Sequence, residues 1–178
     1  MSQADGILDK AGAALLSLSS TGDWRGISLR EIAEKAGVDL ADLYPLAPGK
    51  LALLAHLSLT FDKAALAAKA EGDLHDRLFE ATMARVEAME PHRAALVAIS
   101  RVENFLAIVT HLPRTARAIL EGAGVSASPI RLAAMTVVWA RTVQVWRDDE
   151  GALNRTMAEI DLRLKQMRQR LNRVGAGF

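Results

Sequence analysis

Ser28-Leu29-Arg30-Glu31-Ile32-Ala33-Glu34-Lys35-Ala36-Gly37-Val38 is the stretch on which the fold turns. Ser28 and Glu31 stand at capping-box spacing, so each side chain can satisfy a backbone amide where a helix starts. Leu29, Ile32, Ala33 and Ala36 fall on one face of that helix. Gly37 ends it after about two turns by accepting a left-handed backbone, and Val38 plugs the corner. Asp39 then caps a short third helix. Pro45 is expected to stop it, because proline disfavours helical geometry in the residue before it. Helices joined across a tight glycine turn make a helix-turn-helix, a unit that presents its second helix to a DNA major groove.

Helical periodicity continues on both sides. Upstream, Ile7, Leu8, Ala11, Leu15 and Leu18 share one face of a first helix, and Ser20–Gly26 is a turn-rich break. Downstream, Pro48 opens a long helix reaching about Lys69. Gly72 and Asp73 mark a break before a helix carrying Leu78, Phe79, Met83 and Val86. After Pro91 come Leu96, Ile99, Val102, Phe105, Leu106 and Val109. Pro113 and the pair Gly122/Gly124 bracket a short helix, and Ser128-Pro129 is a favourable start for one running to about Arg147. The last helix has a four-three stripe: Leu153, Met157, Ile160, Leu164, Met167, Leu171 and Val174. The fold expected is all-α, a helix-turn-helix domain over residues 1–50 followed by a bundle of about six helices over residues 51–178. The last two helices (about 129–147 and 150–173) are joined by a short turn at Asp148–Gly151. They carry more apolar face than one chain need cover, which points to a homodimer.

Composition narrows the function. Of 178 residues, 51% are hydrophobic, with Ala and Leu foremost, and none is Cys. Disulfides and thiolate metal sites are therefore excluded. His56, His75, His92 and His111 lack metal-ligand spacing. There is no Gly-rich phosphate loop, nucleophile elbow or paired-carboxylate constellation, so neither an enzyme nor a cofactor is expected. No signal peptide is visible at the N-terminus. The apolar stretch Ile130–Trp146 is broken by Arg131 and Arg141, whereas a membrane span needs about 20 apolar residues. A soluble, cytoplasmic protein is expected. The net charge of +1 is unevenly spread. Residues 1–50 have five basic side chains against seven acidic ones, while residues 155–173 have six against two.

The segment from Ile7 to Leu54 resembles the tetracycline-repressor family of transcriptional regulators. The likeness rests on the first-helix Ile7-Leu8-x-x-Ala11, the capped second helix, Leu43-Tyr44, Pro48 and Lys50. It implies that the third helix reads bases and that Tyr44 and Lys50 contact phosphates, Lys50 near a helix start where backbone amides can also hold one. The DNA-facing candidates are Ser28, Arg30, Asp39, Leu40, Asp42, Tyr44 and Lys50, with Arg25 as a further cation. The pattern also departs from the family. Asp39, Leu40 and Asp42 stand where small, polar or basic residues are usual. Pro45 replaces a frequent His or Tyr, and Ala47 replaces a packing Phe. Carboxylates facing phosphates repel, although Asp can accept a hydrogen bond from cytosine.

The resemblance also implies an apolar ligand cavity in the larger domain. Its candidate lining is Phe79, Met83, Phe105, Val109, Val137, Val138 and Trp139, residues that an ordinary core would equally use. Arg141 falls on the face of Val137, Val138 and Val145, where a charge needs a partner; Glu103 is one. Arg141 is then either a polar anchor in the cavity or half of an internal or interfacial salt bridge. A second resemblance is carried by Glu87–Leu96 and by Trp139 with Trp146-Arg147-Asp148-Asp149. These stretches are similar to ubiquinone-biosynthesis accessory proteins, which share the regulator fold and bind isoprenoid lipid rather than DNA. The basic last helix could rest on an anionic membrane, although its heptad stripe argues for burial against protein.

Overall fold

The computed structural model describes residues 2–68, 71–102, 111–149 and 151–177. All regular structure among them is helical. The chain divides into two compact units, Met1–Thr60 with His92–Ile108, and Phe61–Pro91 with Val109–Phe178.

In the first unit, α1 (Gln3–Thr21) starts earlier than its apolar stripe suggests. Ser2 Oγ accepts the Asp5 amide at 3.1 Å while Asp5 Oδ2 accepts the Ser2 amide at 3.0 Å, a capping box that extends the helix to the chain start. α1 buries Ala11, Leu15 and Leu16 and packs against α2 (Leu29–Ala36), α3 (Leu40–Leu46) and α6 (Arg93–Val102). Gly12 lets α4 (Lys50–Leu66) approach, because a Cβ there would lie 2.9 Å from Leu57 Cδ2. Ile32, Leu43 and Leu53 complete a core closed by Trp24, Ile27 and Ala47. α3 runs to Leu46, past the stop expected at Pro45. The proline sits in the final turn, which the Ala47 amide closes onto the Leu43 carbonyl at 2.9 Å. α4 ends at Leu66, a few residues before its expected end.

The second unit takes the rest of α4 beyond Thr60 together with α5 (Leu74–Met89), α7 (Leu112–Gly122), α8 (Pro129–Arg147) and α9 (Asn154–Arg173). Asp73 caps α5, accepting the amides of His75 and Asp76 at 2.7 and 3.1 Å. A 3-10 turn at Glu90–His92 follows α5, where Pro91 was expected to break the helix. α7 packs on α5 and α8, and α9 packs on α8 and α5. Ile160, Leu164, Met167 and Leu171 of the heptad stripe are buried within this unit, while Leu153 and Met157 are half-buried and Val174 is exposed. Asp149 fixes the start of α9 by accepting both the amide and the hydroxyl of Thr156 at 2.8 and 2.7 Å. No helix among the described residues is long and apolar enough to cross a membrane.

Candidate functional site

The helix-turn-helix forms for the reasons its residues suggest. Ser28 Oγ accepts the Glu31 amide at 3.2 Å and donates to Glu31 Oε2 at 2.7 Å, and the Ser28 amide donates to the same oxygen at 2.7 Å. Hydrogen bonds from the Ser28 backbone and hydroxyl, aided by Lys50, hold the Glu31 carboxyl below its ordinary range. Gly37 adopts φ 63° and ψ 38°, and the Val38 amide reaches the Ala33 carbonyl at 3.1 Å. Ile32 and Ala33 are buried beneath the turn.

The turn presents α3 with Leu43 fully buried, Leu40 half-buried, and Asp39, Ala41, Asp42, Tyr44 and Pro45 exposed. Tyr44 has 60% of its surface free, and Leu46 and Leu51 are exposed beside it in sequence. Asp39 Oδ1 accepts the Ala41 amide at 2.8 Å. One of the two acidic groups on this helix is thus its N-cap, which accounts for an acid where the resemblance implies a polar residue. Asp42 adds a carboxylate in the first turn, favoured there by the helix dipole.

Arg25 and Arg30 are exposed. Lys50 is placed differently. Its ammonium donates to the Trp24 carbonyl at 2.5 Å and the Arg25 carbonyl at 3.5 Å, and lies 4.6 Å from the centre of the Trp24 ring. Trp24 did not figure among the sequence candidates. Its signal was a lone large aromatic inside the otherwise polar break Ser20–Gly26.

In the second unit, Met83, Val138 and Trp139 are buried and Phe79 is half-buried. Phe105, Val109 and Glu103 lie outside the described residues. Two expectations change. Val137 and Arg141, four residues apart, face outward: Val137 is 55% exposed, and Arg141 is exposed with Nη1 donating to Gln144 Oε1 at 2.8 Å. The inward stripe of α8 is Met135, Val138, Trp139, Thr142 and Trp146, and helical geometry puts positions 137 and 141 off it.

A buried cation in this unit is instead Arg85. Arg85 and Asp62 are 4% and 3% exposed, and Arg85 Nε donates to Asp62 Oδ1 at 2.7 Å. Thr115, equally buried, donates its hydroxyl to the same oxygen at 2.9 Å. Arg85 Nη1 donates to Met89 Sδ at 2.6 Å, and its guanidinium carbon lies 4.4 Å from the centre of the Trp139 ring and 6.0 Å from that of Phe61. Burial lowers the Arg85 pKa and the Asp62 charge opposes that effect. Burial and Arg114 likewise hold His111 below the ordinary imidazole range, against the opposing Asp62 charge. Sequence reading missed this group although Arg85 stands in register with Leu78, Thr82 and Met89, a charge on an apolar stripe.

His56 pairs with Asp9 at 2.7 Å and His75 with Asp161 at 2.9 Å. Among the described residues no group of three or more His, Asp or Glu side chains is placed to hold a metal ion.

A TetR transcriptional regulator from Rhodococcus sp. RHA1 superimposes with a TM-score of 0.70 over 91% of this chain and 95% of its own, at 16% identity. The fold is that of the TetR regulators. A tetR-family transcriptional regulator from Streptomyces coelicolor gives a TM-score of 0.59 at 22% identity, covering 95% of this chain and 84% of its own. A second transcriptional regulator from Rhodococcus sp. Rha1 gives 0.56 at 21% identity, covering 91% and 96%. No protein-family model and no curated protein matches the chain. At these identities the likeness is one of fold, and the TetR-type architecture extends over most of the chain.

Proposed function

We propose that this chain is a cytoplasmic, non-catalytic transcriptional regulator that binds DNA through α2 and α3, as a homodimer, and responds to a small apolar ligand. The observation that carries the reading is the presentation of α3: a capped α2 and a left-handed Gly37 hold a short helix whose Tyr44 is exposed. Dimerisation through α8 and α9 is supported by the large apolar side chains left exposed there, Ile130 and Val137 on one helix and Leu162 on the other. Met83, Val138 and Trp139 supply apolar surface for a ligand.

The test is binding of the purified protein to fragments of its own genome, titrated from low to moderate salt. Sequence-selective retention that weakens steeply as salt rises supports a regulator, since phosphate contacts dominate such affinity. Feeble retention, equal for all sequences, sinks it. A second reading, a lipid-binding accessory protein that does not bind DNA, is favoured by the Lys50 ammonium lying on the Trp24 carbonyl and by the exposed Asp42. Organic extraction of the purified protein followed by mass spectrometry tests that reading.

A further inference from the structure

The outward side of α3 is short of hydrogen-bonding groups. Leu43 is fully buried. Ala41 and Pro45, four residues apart, lie on the side of the helix opposite it, with Asp42 on one flank and Tyr44 on the other, and all four are exposed. Ala41 and Pro45 are small and apolar and leave room for a close approach. Of the side chains within α3, only those of Asp42 and Tyr44 can make a hydrogen bond. The two carboxylates at its start are not equivalent. Asp39 Oδ1 is turned onto the Ala41 amide at 2.8 Å, so that side chain is folded back on its own helix. Asp42 has no hydrogen-bond or ion-pair partner among the described residues, and its carboxylate is open to whatever α3 meets.

We infer, on the DNA-binding reading of α2 and α3 proposed above, that Asp42 selects sequence and that the base it selects is cytosine, held through its N4 amino group. A carboxylate only accepts hydrogen bonds, and the major groove offers it two donors, cytosine N4 and adenine N6. The two are not equal. Adenine N6 lies between two acceptors, N7 of the same base and O4 of the paired thymine, so a carboxylate brought to it meets like partial charge on both sides. Cytosine N4 has such a neighbour, guanine O6, on one side alone. Guanine shows only acceptors, N7 and O6, and α3 has no Arg, Lys, Asn or Gln to bind them. A carboxylate pressed against such an edge loses water and gains no partner, so a wrong base is rejected as firmly as the right one is held. Ala41 and Pro45, beside Asp42, suit a thymine methyl group next to the cytosine. Repulsion between Asp42 and the phosphates lowers affinity for every sequence alike and does not alter the preference.

The test uses the full chain and duplexes of random sequence, selected by retention at low salt and sequenced. The unaltered protein is compared with Asp42→Asn and Asp42→Ala, each checked for native circular dichroism. The unaltered protein is expected to enrich a motif with a required cytosine, whose replacement by any other base weakens binding about ten-fold or more. In Asp42→Asn the preference at that position should pass to adenine, whose N6 and N7 an amide matches, while the other positions keep theirs. In Asp42→Ala it should vanish, and retention of unselected DNA should rise as a negative charge is lost. A motif with no required cytosine, or one whose cytosine both variants still demand, overturns the assignment and leaves DNA binding standing. Feeble retention without enrichment, in the unaltered protein and in both variants, removes the DNA-binding reading and the assignment with it. Should a variant fail to fold, the unaltered protein decides alone, titrated with the motif and with the same duplex carrying 2-pyrimidinone, which lacks the amino group, in place of that cytosine. Equal affinities overturn the assignment.

Discussion

Lys50 reaches across 26 residues of sequence to set its ammonium 2.5 Å from the carbonyl oxygen of Trp24. The bond ties the start of α4 to the connection between α1 and α2, so Lys50 has a task inside the first unit whether or not it meets a phosphate. Replacing it with Met removes the donor and the contact with the indole ring. A loss of about 1–2 kcal/mol of unfolding free energy is expected, read from urea denaturation. An unchanged urea midpoint would refute the structural role. If the ammonium leaves Trp24 to bind a phosphate, the same variant also lowers the salt slope of DNA binding by about one ion.

Tyr44 gives the complementary case. With most of its surface free, Tyr44→Ala should leave the melting temperature almost unchanged, within the ordinary range of surface changes of about 0.5 kcal/mol. Its effect is expected in DNA retention alone. A variant that melts early, or one that binds DNA as the parent does, contradicts the assignment.

The helix α2–Gly37–α3 unit was legible because every signal in it is local: a cap and its partner three residues apart, a glycine at the turn, a four-residue apolar period. The Lys50–Trp24 bond and the Asp62–Arg85–Thr115 group were not legible, for the opposite reason. Periodicity assigns a residue to a face and says nothing about which distant face it meets. Arg85 was detectable as an anomaly, a charge in register with Leu78 and Met89, but its partner on α4 was not. Arg141 drew attention because it was read on one face with Val137, Val138 and Val145, a stripe drawn too wide, since Val138 is buried while Val137 and Arg141 are exposed. One helical residue turns the side chain by roughly 100°, enough to separate a buried position from an exposed one. The start of α1 was missed for a smaller reason, since Ser2 and Asp5 precede the apolar stripe and only the cap extends the helix that far.

Two glycines offer a paired test of packing. A Cβ on Gly122 would lie 2.0 Å from the Ala65 carbonyl oxygen, a backbone atom that can yield only if α4 and α7 move apart. Gly122→Ala is expected to cost about 2–3 kcal/mol, the scale of an overpacked core. Nothing lies within 4 Å of the corresponding point on Gly6, inside α1. Gly6→Ala should therefore stabilise by about 0.5–1 kcal/mol. Equal effects of the two changes in thermal denaturation would contradict this account of the helix contact.

The Asp62–Arg85 pair should respond asymmetrically. Asp62→Ala leaves a buried guanidinium without its main counter-charge and is expected to cost about 3–5 kcal/mol. Converting both members, Asp62→Leu with Arg85→Met, should recover most of that loss. A double variant as unstable as the single one would show that the charges themselves hold the core together.

Acid should act through two helix caps, those of Glu31 and Asp73, and through the Asp161–Lys165 pair inside α9. Glu31, Asp73 and Asp161 all have carboxyls below their ordinary values: for Glu31 and Asp73 chiefly through backbone hydrogen bonds, for Asp161 through Lys165. A lowered folded pKa means that the stability such a group gives is fully present above its ordinary value, 4.5 for Glu31 and 3.8 for the two aspartates, and is lost as pH falls through the lowered one. Ser28→Ala should move the Glu31 carboxyl back up towards its ordinary value in an NMR titration. That change removes the hydroxyl and keeps the backbone amide, so the return is partial, and a Glu31 titration unmoved by it would show that the hydroxyl has no share in the lowering.

Asp39 separates two properties of α3 that one residue of the sequence joins. Its carboxylate starts the helix by taking the Ala41 amide, yet only an oxygen acceptor is needed for that, and Asn or Ser caps as well as Asp. The charge of this face is thus free to drift while its shape is kept. One neutral replacement at position 39 would halve the acid displayed on α3 without unravelling the helix. A lineage could pass between a face that repels phosphate and one that tolerates it in a single step, with the scaffold never put at risk.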